Sequence, residues 1–344
     1  AIDFLGEAQV PFGTSFGGLQ IGGLSAITYD AAQHQYYALA DDRSADARFF
    51  TLELALADGK LDQGDVTFTA VQTLSDEAGN RFVANSLDPE GLTLAADGKF
   101  YLSSEGDATT LTAPFVDAFS LQGQRIGELP IPHRFLPTED QSAGIRNNLA
   151  FEALSLTPDG KHLYVGTEDA LYQDGPAATT STGSPSRILE YSTVTGQETA
   201  EFIYRTEPVQ AAAVPAGAFS TNGLVELLAL DNHGSMLALE RSFSTGVGND
   251  IKLYLVNTDG ATDVSKLGAL AGQDYQAVEK TLLLDLGDLG ITLDNIEGMT
   301  FGPDLADGRK SLVLVADDNF SATQVTQFLA FAVDVQHGST DPWQ

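Results

Sequence analysis

The chain has no cysteine, one tryptophan and two methionines. Without cysteine there is no disulfide and no thiolate-held metal, although this leaves the compartment open. Bases are scarce too: 17 lysines and arginines face 48 acids, a net charge of −31. So acidic a chain excludes nucleic acid as a partner, because a phosphate backbone is bound by basic surface. Five histidines leave little material for an imidazole-built metal site. His34, His162 and His233 fall in turn segments, His337 in the tail, and His133, in "LPIPHRF", reads as a loop residue. No apolar run approaches about 18 residues, so no helical membrane span is expected. P-loop, G-x-G-x-x-G, H-E-x-x-H and EF-hand patterns are all missing. "GTSFG" (13–17) matches G-x-S-x-G in letters only, with Pro11 before it and more glycines after it. A nucleophile elbow needs a strand–turn–helix setting and a histidine partner, so a serine hydrolase is set aside.

What the sequence has is a repeated hairpin. "DPEGLTLAADGKFYLSSEGD" (88–107) alternates apolar and small residues on both sides of an Asp-Gly turn, the pattern of two antiparallel strands. "FEALSLTPDGKHLYVGTED" (151–169), "VELLALDNHGSMLALER" (225–241) and "IEGMTFGPDLADGRKSLVLVADD" (296–318) repeat it, and "SAITYDAAQHQYYALADD" (25–42) is the most divergent copy. The leading positions are 25, 90, 152, 226 and 297, separated by 65, 62, 74 and 71 residues, with 72 more around through the termini. Further strand-like runs follow each hairpin, as in "RFFTLELAL" (48–56) and "DVTFTAVQTL" (65–74). Four strands per unit in radial repetition predict an all-β chain, a β-propeller of five four-stranded blades. Six blades is the alternative, should one blade be degenerate. "TQFLAFAVDV" (326–335) ends a unit that lacks one strand, and "AIDFLGEAQV" (1–10) supplies it and closes the ring. Residues 1–344 are thus expected as one domain, with "DGPAATTSTGSPS" (174–186) a surface loop and 338–344 a tail.

Each hairpin carries acid at one end. The first strand of a propeller blade lines the central channel and the second returns beside it, so both sets of charges meet on one face. Ser25, Glu90, Glu152, Glu226 and Glu297 are expected as an inner ring, with Asp41, Asp42, Glu105, Glu168, Glu240, Asp317 and Asp318 around it. Carboxylates so crowded repel one another, and a hard cation with about 6–8 oxygen ligands relieves the repulsion. Ca²⁺, or another divalent metal, is therefore expected on Glu90, Glu152, Glu226, Glu297, Glu105 and Glu240. The competing reading is that each glutamate simply accepts hydrogen bonds from nearby backbone N–H groups. Arg43 and Arg241 directly follow acids of the return strands, and Arg146 lies just ahead of Glu152. A guanidinium fork beside a metal suits an oxyanion. Each arginine could equally do no more than pair with its acidic neighbour.

The ordered set "GGLSAITYD…YYALADDR", "DPEGLTL…YLSSEGD", "GIRNNLAFEALSLTPDGKHLYVGTEDAL", "LLALDNHGSMLALERSF" and "NIEGMTFGP…LVLVADDNF…TQFLAF" resembles the phytase-like family described by esterase-like activity of phytase. The resemblance covers nearly the entire chain. It implies an exported bacterial β-propeller acting on phosphate esters with calcium. The Glu-Gly/Ala-apolar strand starts also look like those of calcium-dependent lactonase propellers. The expected function is metal-dependent hydrolysis of a small phosphate ester or other anionic substrate. Arg43, Arg146 and Arg241 hold the non-bridging oxygens in this reading, and Asp42 or Asp317 acts as general base. Lactone or carboxylic-ester hydrolysis at the same metal, and a non-catalytic binding propeller, remain open. A start at Ala1 fits a mature exported protein after signal-peptide removal, or an expressed fragment, and a monomer is expected.

Overall fold

Apolar alternation around a tight turn produces the same folded unit five times over. The computed structural model describes residues 1–334, and these form five antiparallel sheets of four strands each. The first blade runs from its inner strand Leu24–Asp30 through Gln35–Ala40 and Arg48–Leu54 to Val66–Thr73. The second comprises Pro89–Leu94, Lys99–Ser104, Phe115–Ser120 and Arg125–Glu128, and the third Phe151–Leu156, His162–Thr167, Pro185–Ser192 and Glu198–Arg205. The fourth is Ser220–Ala229, Ser235–Ser244, Gly248–Asn257 and Glu279–Asp285. The fifth takes Ile296–Asp304, Lys310–Ala316 and Thr326–Val333 from the end of the chain and Ile2–Val10 from its start. The five-bladed reading holds among the described residues, and no degenerate sixth blade intervenes.

Inner strands of neighbouring blades lie side by side around the axis, and apolar layers fill the wedges between sheets. There is one layer per junction. Leu92, Phe100 and Leu102 pack on Leu39 and Phe49 between the first two blades, while Val116 meets Leu154 and Val165 between the next two. Leu224 and Met236 face Tyr164 and Ile188, and Leu237 faces Leu314 and Phe331. The last layer, with Ile27 and Phe50 against Val313 and Phe328, seals the junction where the two ends of the chain meet. The first two strands of each blade bury both faces along much of their length, which explains why their sequences are richer in leucine and valine than strict alternation requires, whereas outermost strands such as Val66–Thr73 and Glu279–Asp285 are largely open to solvent.

Ring closure depends on Ile2–Val10, which pairs antiparallel with Thr326–Val333 from Ile2↔Val333 to Val10↔Thr326. The pairing is broken once, by a bulge between Phe4 and Gly6. There the Leu61 N–H of the first blade donates to the Leu5 carbonyl at 3.0 Å, so the closing strand is stitched to its neighbour. Gly6 has φ +129°, and a Cβ there would stand 2.2 Å from the Leu61 carbonyl oxygen.

The loop expected over 174–186 is shorter than that. Only its middle, from Pro176 to Thr182, reaches solvent, and Pro185 already begins a strand. Buried Asp174 accepts from the fully buried Arg187 at 2.6 and 2.8 Å, and Ser184 Oγ donates to the Pro176 carbonyl, which ties down both ends. The tail 338–344 and His337 lie outside the described residues.

Gly6→Ala should cost roughly 2 kcal/mol or more of stability, since it adds both backbone strain and a backbone collision. Gly13→Ala should cost only about 1 kcal/mol. Gly13 also has positive φ, but a Cβ added there would meet no atom within 4 Å. Thermal melts of the two variants check this, and equal losses would mean that the close approach at Leu61 does not constrain the closure.

Candidate functional site, an acidic cavity at one channel mouth

One local irregularity aims the site. In every blade the pairing of inner and second strand skips a residue near the inner strand's start: Ser25, Glu90, Glu152, Val225 and Glu297. A bulged residue is left out of the ladder and its side chain is re-aimed, here toward the channel. One residue beyond the partner pair, on the return strand, come Asp41, Glu105, Glu168, Arg241 and Asp317. Three of the bulge residues, Glu90, Glu152 and Glu297, and all five return residues line a cavity of about 390 Å³ at one mouth of the channel.

The fourth blade departs from the expected register. Glu226 and Glu240 were expected in the rings, but the bulge falls on Val225 and the return position on Arg241. The cause is in the turn. Four residues, 231–234, separate the last paired residues Leu230 and Ser235, and the glycine is the fourth of them. In the second and third blades the glycine is the third turn residue, so counting back from the glycine points to Glu226 where the bulge is Val225; on the return strand the count that runs from Gly98 to Glu105 runs from Gly234 to Arg241, one residue past Glu240. A one-residue shift moves every side chain to the opposite face of a strand. Glu226 is buried between blades, where it accepts from the backbone N–H groups of Leu154 and Leu227 at 3.0 Å. Glu240 faces away from the channel, accepting from Tyr204 Oη at 2.5 Å, Lys280 Nζ at 2.7 Å and the Glu207 N–H at 2.8 Å.

Four other expected participants also lie elsewhere: Ser25 and Asp318 are buried outside the cavity lining, with Asp318 accepting from the Gly23 N–H at 2.8 Å, and Asp42 and Arg146 are engaged by other partners. Asp42, one residue past the return position, accepts from the Ser44 N–H and pairs with Arg48. Burial alone would raise its pKa, but these partners outweigh burial and hold it below the usual carboxylate range, which makes it a poor base. Arg146 donates to the carbonyls of Ala170 and Gly175 and stacks on Tyr172 at 4.3 Å, outside the cavity. "GTSFG" forms a small hairpin, Ser15–Phe16 with Leu19–Gln20.

Among the described residues the cavity collects eight carboxyl groups. Glu90, Glu152 and Glu297 come from bulges; Asp41, Glu105, Glu168 and Asp317 come from return strands. The eighth, Asp88, lies next to Glu90 at the inner strand's edge and went unrecognised in the sequence, where "DPEG" reads as turn chemistry. Three overlapping trios bring their oxygens within 4.8 Å of one another: Asp88–Glu90–Glu105, Glu90–Glu152–Glu297 and Glu105–Glu152–Glu168. Two guanidiniums of the described chain face them. Arg241 donates to Glu168 at 2.7 Å and Glu297 at 2.6 Å, with Asn295 as a third partner. Arg43, partly exposed at the rim, donates to Asp107 at 2.9 Å and has Asp88 at 3.9 Å.

Eight acids against two bases leave six negative charges uncompensated if all ionise. Burial, and then repulsion from Glu152 and Asp88, pushes Glu90 well above the usual range; burial together with Asp88 and Glu168 does the same to Glu105. Glu152 rises through burial and Glu105, and Asp41 through burial and Asp317. Burial raises Glu168 to about 7 even though Arg241 opposes it, and burial with Glu297 raises Asp317 to about 8. Such a cluster of displaced carboxyls in a concavity marks a functional site. The opposite channel mouth is larger, about 910 Å³, but Leu94, Leu156, Leu230 and Phe301 line it, with no comparable charge cluster among the described residues.

The donor set suits a hard cation. Every charged donor is a carboxylate oxygen, asparagine side chains add neutral oxygens, and no histidine among the described residues lines the cavity.

Fold and site define a five-bladed β-propeller with a buried acidic cavity at one channel mouth. The chain belongs to the phytase-like family, described as esterase-like activity of phytase, whose model matches residues 19–320. By that description it is a family of hydrolases. A relative from the fungus Arthroderma benhamiae, described as an uncharacterized secreted protein, is 30% identical over 151 residues, or 37% of this chain and 28% of the relative. The match thus spans little more than a quarter of that relative's length, and its fungal source gives no support to the expected bacterial origin. Among solved structures, a luciferin-regenerating enzyme matches at 10% identity with a TM-score of 0.39, covering 92% of this chain and 94% of its own. The Cps50 (Swd1) propeller domain of Myceliophteria thermophila matches at 10% identity with a TM-score of 0.38, covering 97% and 100%. No helix among the described residues is long and apolar enough to cross a membrane.

These carboxyls bind protons more tightly folded than unfolded. Between the ordinary carboxyl range near pH 4 and the raised values of about 7 and 8, the native state therefore holds protons that the unfolded chain has lost. Stability of chelator-treated protein should accordingly fall as pH rises from about 5 to about 8, and any cation taken up by these acids, tested with millimolar calcium, should reduce that slope. Thermal melts across this range, with and without calcium, measure it. A chelator-treated protein as stable at the upper end as at the lower would contradict the crowding of ionisable acids.

Proposed function

We propose that the protein is a calcium-dependent hydrolase of small phosphate esters, exported like its secreted relative and working as a monomer. The observation that carries the reading is the imbalance in the cavity, eight carboxyls, seven of them on buried residues, against two guanidiniums, which a divalent cation relieves. Glu90, Glu152, Glu297 and Glu105 are its proposed ligands, with Asp88 and Glu168 adjoining. A cation bound there supplies Lewis acidity toward an ester oxygen and acidifies a water molecule.

The chain's own groups divide the remaining work. Asp317, which lines the cavity outside the three oxygen trios and is pushed above the usual carboxylate range by burial and Glu297, is the proposed general base. Arg43 is the proposed anion contact, since its side chain is 35% exposed at the rim and its pairing with Asp107 leaves it at the edge of the cluster. Arg241, held by Glu168 and Glu297, positions those acids and limits how far the cluster repels itself. One observation favours a second reading, hydrolysis of a carboxylic ester or lactone. With Arg241 so engaged, a single guanidinium remains to meet a phosphate dianion, while a neutral ester needs none.

Hydrolysis of 4-nitrophenyl phosphate and 4-nitrophenyl acetate, assayed with calcium and with chelator, separates the readings. Calcium-dependent turnover of the phosphate supports the first, and turnover of the acetate alone supports the second. Glu152→Gln should weaken calcium binding about tenfold or more by calorimetry, because it removes a charge shared by two oxygen trios. Asp42→Asn should change calcium binding less than about twofold. Full-strength calcium binding by Glu152→Gln would remove the cluster from consideration as the metal site, and a calcium-loaded protein inert toward both esters would refute the hydrolase proposal.

A further inference from the structure

The fourth blade is built differently at the face that bears the cavity. In the other four blades the inner strand begins one residue before its bulge: Leu24 before Ser25, Pro89 before Glu90, Phe151 before Glu152 and Ile296 before Glu297. In the fourth it begins at Ser220, five residues before Val225, and its partner continues to Ser244, three residues past Arg241. The paired strands therefore extend about four residues farther than elsewhere, roughly 13 Å at ~3.3 Å per residue. They rise past the rim as a wall on one side of the cavity.

The wall is stiff and its cavity end is apolar. The 206–219 loop is fastened along its flank: the Gln210 N–H donates to Ser242 Oγ at 3.0 Å, Ser244 Oγ to the Ala211 carbonyl at 2.6 Å, and the Thr245 N–H to the Phe219 carbonyl at 2.9 Å. Phe219 is 66% exposed, and its ring lies 6.1 Å from that of Phe243. Both rings line the same cavity as the carboxyl cluster. Val214 and Val247, 63% and 55% exposed, extend the apolar surface at the wall's crest. Opposite Phe243 in the pairing, Asn249 lines the cavity with a buried Oδ1 that has no hydrogen-bond partner. Large exposed apolar side chains concentrated at a binding concavity mark a contact surface.

We infer that Phe219 and Phe243 determine specificity by holding the apolar part of the substrate, so that the substrate is an amphipathic ester with one polar ester head and an aryl or alkyl body. The inference rests on the hydrolase reading of the cavity and names its substrate class. Charge points the same way. A polyphosphorylated substrate would have to approach eight carboxyls while meeting only Arg43 and Arg241, both already paired. A single ester head makes a far smaller demand, and the two phenyl rings offer its remainder a surface to bury against.

The test compares esters that share a leaving-group type: 2-(1-naphthyl)ethyl phosphate with ethyl phosphate, and the two corresponding acetates. With calcium-loaded protein, kcat/KM for the naphthyl member of whichever pair is hydrolysed should exceed that of the ethyl member about tenfold or more. In Phe219→Ser, and more so in Phe219→Ser/Phe243→Ser, that ratio should fall toward one through KM. The single variant guards against misfolding, since Phe219 is largely in solvent. A ratio near one in the unaltered protein, or one that survives both substitutions, overturns the inference while leaving the hydrolase reading intact. If no ester is hydrolysed, the hydrolase reading fails on its own, and calorimetric binding of 2-(1-naphthyl)ethylphosphonate against ethylphosphonate decides the inference. Preference for the naphthyl compound that is lost in the double variant upholds it; equal binding, or none, overturns it.

Discussion

A bulge at the start of each inner strand is the constraint on which the site depends. Regular pairing alternates side chains between the two faces of a sheet, and in a propeller both faces are covered by neighbouring blades. A residue that must face the channel mouth has no place in that alternation. Skipping one residue in the ladder frees it, and the chain does so at Ser25, Glu90, Glu152, Val225 and Glu297. Glycine follows the bulge in two blades for a steric reason: a Cβ at Gly91 would lie 2.7 Å from Leu154 Cβ of the next inner strand, and one at Gly298 would lie 3.1 Å from Ala26 Cα of the next inner strand. The tight approach of neighbouring inner strands and the inward aim of the acids are thus consequences of one local geometry.

Bringing carboxyls together in this way has an electrostatic cost, and the protein meets part of it internally. The return position that is acidic in four blades is arginine in the fourth, so Arg241 stands within the ring it neutralises. Burial works against a charged guanidinium, yet Glu168, Glu297 and Glu152 outweigh it and stabilise the cation. What remains uncompensated is too large for the ring to be fully ionised at neutral pH without help, and this links proton binding and stability at a single place, the one where a cation is proposed.

The fourth blade is also where the symmetry of the repeat is relaxed for a purpose of its own. Its bulge position is the apolar Val225, its return position is the one arginine, and its hairpin outgrows the others. These departures reinforce one another. A blade that contributes no carboxyl can carry aromatic side chains against the cavity, since the apolar wall then rises from the least acidic side of the ring. The cavity is consequently polarised, with acids on most of its circumference and Phe219 and Phe243 on the remainder.

Much of this was legible in the residues themselves. Five hairpins at intervals of 62 to 74 residues specify a five-bladed ring, and the unfinished last unit specifies its closure by the N-terminal strand, because strand pairing must be completed somewhere. Glu90, Glu105, Glu152, Glu297, Asp317, Arg43 and Arg241 were identifiable from their places at hairpin ends, and all line the cavity. The tertiary structure decided what depends on register. Glu226 and Glu240 look equivalent to their counterparts in letters, but the bulge falls one residue earlier, at Val225, and the return position one residue later, at Arg241, so both glutamates face away from the channel. Asp42 and Arg146 stand near the right positions in sequence and are taken up by Arg48 and by the carbonyls of Ala170 and Gly175. Asp88, and the pairing of Phe219 with Phe243 across a projecting hairpin, carry no periodic signal. Repetition along a chain records which units recur, whereas the direction of a side chain is set by a single residue's offset in the ladder, and that offset exists only once strands are paired.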